Sequence, residues 1–101
     1  MTNISPEEVK KRLDAGEKLN LVDVREPYEN AEFNIGGKLI PLGEIQSMQT
    51  EEIDGLKNEE LIFYCRSGNR SGIAARILDS MGFGNTKNLS GGMLAWQEKF
   101  K

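Results

Sequence analysis

Apolar and polar positions change their period several times along the chain, and each change marks a predicted element. Ser5-Pro6-Glu7-Glu8-Val9 reads as a helix start, with Ser5 as N-cap, Pro6 at the first helical position and Glu8 completing a capping box. Ile4 and Val9 are spaced for a hydrophobic staple, Leu13 lies one turn beyond Val9, and Gly16 supplies the stop. Leu19 to Val24 (LNLVDV) reads as a buried strand ending at Asp23-Val24-Arg25, and Pro27 opens a short helix or turn to about Glu32. Lys38-Leu39-Ile40 suits a short strand closed by Pro41. The stretch from Ser47 to Leu56 is polar with sparse apolar positions and is assigned to a surface helix.

Leu61-Ile62-Phe63-Tyr64 is a continuous apolar run of strand length, as a sheet covered on both faces demands. Beyond a glycine-containing turn, Ile73, Ala74, Ile77, Leu78 and Met81 fall on one face of a helix that Gly82 ends. Thr86 to Leu89 is the last predicted strand, and Ser90 caps a final helix with Met93, Trp96 and Phe100 along one side. Strands alternating with helices at this spacing predict an α/β sandwich around a mostly parallel sheet. Ligands of such folds bind at the carboxyl ends of the strands, where both Asp23 and Cys65 fall.

Composition narrows the chemistry. A chain of 101 residues suits a single domain, residues 1–101, with a modest core. Thirteen basic against sixteen acidic residues leave no basic excess to hold a nucleic-acid backbone. No apolar run approaches the roughly 20 residues of a membrane span, and the N-terminus lacks the layout of a secretory signal. One cysteine makes no internal disulfide, which fits a reducing, cytoplasmic setting. With no histidine, Ser-His-Asp and Cys-His catalysis are excluded, and nothing in the chain calls for a metal or another cofactor.

The one cysteine stands at a seam where an apolar strand meets a turn and a helix start, an arrangement that aims backbone N–H groups at one point. Gly68 lets the turn curl, Asn69 tolerates unusual backbone angles, and Arg66 and Arg70 add positive charge. Such surroundings lower a thiol from its usual value of about 8.5, so a nucleophile needs no separate base. The plain alternative is a small buried residue ending a core strand beside two solvated arginines. Oxyanion-handling loops of phosphatases and arsenate reductases need C-x5-R, but the sixth residue after Cys65 is Ser71 and the arginine comes one place early, at Arg70. The shorter loop suits a smaller group on the cysteine, such as one additional sulfur.

At these residues the chain resembles the rhodanese-like family of sulfurtransferases, over nearly its whole length. Cys65-Arg66-Ser67-Gly68-Asn69-Arg70-Ser71 is similar to the family's active-site loop, and Asp23-Val24-Arg25-Glu26-Pro27 to its upstream signature. Ile40-Pro41-Leu42 and the run from Asn88 to Trp96 match later landmarks, whereas Phe33-Asn34-Ile35 stands where the family often has Gly-His-Ile. The resemblance implies a rhodanese-like α/β three-layer sandwich, with about five mostly parallel strands flanked by helices.

It also implies transfer of a sulfane sulfur from thiosulfate or a persulfide donor, through a persulfide on Cys65, to a thiol, cyanide or protein thiol. Residues 66 to 71 would ring the sulfur, with Arg66 foremost in binding an anionic donor. Arg70 would either join it or pair with an acid at the helix start. Asp23 would accept hydrogen bonds from the loop and fix its shape, and Arg25 would pair with Glu26 or Glu29 in support. No nucleic acid or membrane partner is implied, and the chain is expected to be a monomer. The competing readings are a catalytically quiet binding module on the same fold and, further off, a phosphatase or arsenate reductase. Gly91-Gly92 is read as close packing of a helix start against the sheet.

Overall fold

The computed structural model describes residues 1–101. Its strands are β1 (Thr2–Ile4), β2 (Leu21–Asp23), β3 (Lys38–Leu39), β4 (Leu61–Tyr64) and β5 (Thr86–Leu89). The helices are α1 (Pro6–Asp14), α2 (Pro27–Glu32), α3 (Leu42–Gln46), α4 (Asn69–Ser80) and α5 (Gly92–Lys99), with a 3-10 turn over Asp54–Leu56. The sheet order is β1-β5-β4-β2-β3, and every pairing is parallel. All the carboxyl ends therefore lie on one edge, and β4 sits at the centre.

Alternation along β4 builds the two halves of the core. Leu61, Phe63 and Cys65 join Val22, Val24, Ile45, Ala74 and Leu78 on the face covered by α3 and α4. Ile62 and Tyr64 join Val9, Leu89, Met93 and Trp96 on the face covered by α1 and α5. A strand buried on both faces has no polar side to alternate with, which is why its sequence is a continuous apolar run. The same alternation carries Cys65, one residue past the strand, onto the α4 face.

Helix α1 begins as its residues dictate: Ser5 Oγ accepts from Glu8 N at 3.1 Å, and Ile4 and Val9 share one apolar cluster. The capping box is half formed, because Glu8 is exposed and its carboxylate does not reach back to Ser5. Gly16 and Gly82 take the left-handed angles (φ 83 and 95) that end α1 and α4.

Several boundaries differ from the sequence reading. Strand β1 was not expected; its three residues pair along β5 and insert Ile4 into the core. The expected strand over Leu19 to Val24 is regular only from Leu21 to Asp23. The surface helix assigned to Ser47–Leu56 does not form. The helix lies earlier, as α3, where Leu42 follows Pro41 and Ile45 turns into the core. Ser47 ends it, Met48 takes a left-handed φ of 62, and the Thr50 hydroxyl bonds Asp54 at 2.8 Å in a turn around buried Ile53. Ser90 does not cap α5; Gly91 does, at φ 75. No helix is long and apolar enough to cross a membrane.

Candidate active site

The site is built where β4 runs out. Cys65 follows Tyr64, the chain turns through residues 66 to 68, and Gly68 at φ 100 serves as the left-handed N-cap of α4. That angle is open to glycine and strained for side chains. The turn folds back over the thiol, leaving Cys65 only 1% exposed. Its Sγ lies 3.1 Å from Gly68 N, 3.4 Å from Ser71 N and 3.4 Å from Ser71 Oγ. Burial pushes the thiol up, but the Ser71 hydroxyl and the N–H groups of Ser71, Gly68 and Ser67 outweigh it and hold Cys65 below the ordinary thiol value.

The carbonyls of the loop are fastened elsewhere. Cys65 O accepts from Met93 N and Arg66 O from Leu94 N, both at 2.9 Å. These are first-turn donors of α5 that have no partner within their own helix. A trans peptide points its N–H opposite its C=O, so fastening both carbonyls to α5 turns the N–H groups of Arg66 and Ser67 away from that helix. Gly92 makes this approach possible. A Cβ there would stand 2.5 Å from Cys65 O and 2.6 Å from Arg66 O. Gly91-Gly92 thus seats the helix on the cysteine loop rather than on the sheet, as the sequence reading had it.

The expected roles of the acidic signature change with the geometry. Asp23 is fully buried, and its carboxylate is filled by Arg25 N, Nε and Nη2 at 3.0, 2.9 and 2.8 Å and by Asn30 Nδ2 at 2.9 Å. It accepts nothing from the cysteine loop, contrary to expectation. Arg25 pairs with Asp23 rather than Glu26 or Glu29; its Nη2 also reaches Phe33 O at 2.5 Å, and its guanidinium stands 5.6 Å from the Tyr64 ring. A buried pair of this kind is costly to break, because the surviving charge has no water to turn to.

Arg70 takes the structural alternative. Its two terminal nitrogens meet both Glu29 oxygens at 2.8 and 2.9 Å. Arg66 is exposed and makes no ion pair, and with Arg25, Glu29, Phe33, Leu94 and Gln97 it lines a pocket of about 310 Å³. Ser67 and Asn69 are exposed, and their side chains make no hydrogen bond. Of the expected ring, Gly68 and Ser71 reach the sulfur directly. Sequence reasoning missed Asn88, which donates to Gly68 O at 3.1 Å and stands 2.5 Å from Ser71 Oγ. An amide inside a predicted buried strand was the available signal, since buried amides need partners.

The profile of the Rhodanese-like domain family matches residues 5–99. YtwF of Bacillus subtilis (strain 168) is 41% identical over 97% of this chain and 92% of its own. The thiosulfate:glutathione sulfurtransferase of Homo sapiens is 31% identical over 95% of this chain and 93% of its own. Among solved structures, a rhodanese-like domain protein from Staphylococcus aureus superposes with a TM-score of 0.81 at 33% identity, covering 95% of this chain and 91% of that one.

Proposed function

The chain belongs to the rhodanese-like family and is a sulfurtransferase, and from that premise we propose that it moves a sulfane sulfur through a persulfide on Cys65. The observation that carries this reading is the Sγ of the only cysteine, buried beneath a loop whose Gly68 and Ser71 donors converge on it.

The thiolate attacks the outer sulfur of thiosulfate or a related persulfide. A bond forms between Sγ and that sulfur while its bond to the rest of the donor breaks, and the electron pair leaves with sulfite from thiosulfate or with a thiolate from a persulfide. The outer sulfur then carries the charge, facing the N–H groups of residues 66 to 71 much as an oxyanion faces its donors. Arg66, exposed and unpaired, draws an anionic donor to the mouth of the loop. An outside thiol takes the sulfur and restores the thiolate, because no second cysteine exists to do so. The name of the human relative, thiosulfate:glutathione sulfurtransferase, joins a thiosulfate donor to a thiol acceptor, which supports this pairing.

A binding module remains the second reading, and the intact loop and partly polar pocket favour turnover over it. Intact mass of the reduced protein before and after thiosulfate, then after a thiol, tests the proposal. A gain of one sulfur atom at Cys65 that the thiol reverses is the expected result. No gain with thiosulfate or a polysulfide would hand the site to the binding module.

A further inference from the structure

The Ser71 hydroxyl has one hydrogen and two acceptors within reach. Its Oγ lies 2.5 Å from Asn88 Oδ1 and 3.4 Å from Cys65 Sγ. Asn88 cannot offer its nitrogen at that contact, because Nδ2 is held by Gly68 O at 3.1 Å. The amide is nearly buried on β5 and wedged beside Gly72, where a Cβ would stand 3.4 Å from Nδ2. Its carbonyl oxygen therefore faces Ser71 in a fixed orientation.

Distance settles where the proton rests. Toward a neutral sulfur, a short O–H···O bond outcompetes a long O–H···S bond. Turning the hydroxyl to the sulfur would leave two oxygens facing each other with no hydrogen between them. Only a full negative charge on Sγ offsets that cost, since a charge-assisted hydrogen bond is roughly twice as strong as a neutral one.

We infer that Asn88 is a positioning residue that withholds the Ser71 hydroxyl from Cys65 while its sulfur is uncharged and yields it as the thiolate forms. This rests on the sulfur-transfer reading above. When the acceptor thiolate takes the outer sulfur, a new S–S bond forms, the bond to Sγ breaks, and the electron pair passes to Sγ. The hydroxyl turns to Sγ as that charge develops. The N–H groups of Gly68 and Ser71 are fixed and serve the sulfur throughout, whereas the hydroxyl favours the transition state over the persulfide.

Asn88→Leu keeps the branched shape and removes both polar ends. Alkylation of Cys65 by iodoacetamide, followed over pH with no sulfur donor present, reports the thiol midpoint whether or not sulfur is transferred. In Asn88→Leu the midpoint is expected to fall by about one unit, because the freed hydroxyl serves the thiolate. In a Ser71→Ala background the same substitution moves nothing. A midpoint that rises or stays, or that falls equally without the hydroxyl, overturns the inference; a rise is what a residue that merely props the loop would give. Circular dichroism establishes folding beforehand, and Asn88→Ala takes the same measurement if the leucine variant does not fold. A missing mass gain would overturn sulfur transfer, while an unmoved midpoint would overturn the role of Asn88, so the two failures are separable.

Discussion

Glu29 and Arg70, 41 positions apart, close a two-bond fork that ties α2 to the first turn of α4. Glu29 Oε1 also accepts from Glu26 N at 3.1 Å, which pins the start of α2. Arg70 adjoins Ser71, whose N–H and hydroxyl face the sulfur. The acidic segment after β2 thus reaches the cysteine loop through this pair and not through Asp23.

Acid should loosen that link. The hydrogen bonds from Arg70 chiefly, with the Glu26 N–H in support and burial opposing, hold the Glu29 carboxyl at about 2. Its folded value lies below the unfolded one of about 4.3, so its stabilisation is complete above that pH and fades as pH falls toward 2. Glu60 behaves alike: Arg12 first and Lys87 after it, against burial, hold it at about 2. Urea midpoints measured from pH 7 to pH 2 should be lower for Glu29→Gln at neutral pH and fall less steeply below about pH 4.5. Curves that run parallel to wild type would remove Glu29 from the acid response.

Cys65→Ser should gain no sulfur from thiosulfate and transfer none. The serine oxygen can accept from the donors that now face Sγ, so stability should stay within about 1 kcal/mol of wild type. Equal turnover by the serine protein would sink the persulfide route.

Arg66→Ala should raise KM for thiosulfate about tenfold with kcat little changed, because a lost charge-assisted contact costs about that much. The guanidinium supports nothing else in the fold, so the melting temperature should not move. An unchanged KM would take Arg66 out of donor binding.

Two glycine-to-alanine substitutions should have opposite signs. At Gly92, with φ 56 and loop carbonyls 2.5 and 2.6 Å from any Cβ, alanine should cost more than about 2 kcal/mol and abolish transfer. At Gly43, in α3 with open space around it, alanine should raise stability by up to about 1 kcal/mol. Thermal melts of the two variants decide this directly.

The apolar periods made most of this fold legible: β4, α1, α4 and α5 follow from their runs and faces, although Ile73, expected on the inner face of α4, is exposed and Ala75 is buried in its stead. Strand β1 left no comparable pattern, because Thr2 and Asn3 are exposed and the strand exists through its pairing with β5. Ser47–Leu56 misled for a related reason. Its buried Thr50 and Ile53 are held by a turn, and sparse apolar positions do not distinguish a turn from a helix. In the site, the loop from Cys65 to Ser71 was readable because its neighbours are sequential. The Asn88, Met93 and Leu94 contacts join segments that the fold alone brings together, and the Glu29–Arg70 pair was foreseen only as an unnamed acid for Arg70.

The grip of α5 on the loop also orders events in time. A chain leaves the ribosome from its N-terminus, so β4 and α4 are out before residues 92–94 exist to hold the carbonyls of Cys65 and Arg66. Until then those two carbonyls lack the partners that fasten the turn over the thiol, and only the donors at the start of α4 face the sulfur. The seat of the nucleophile is therefore finished by a helix that begins only at Gly92, not by the strand and helix that flank it.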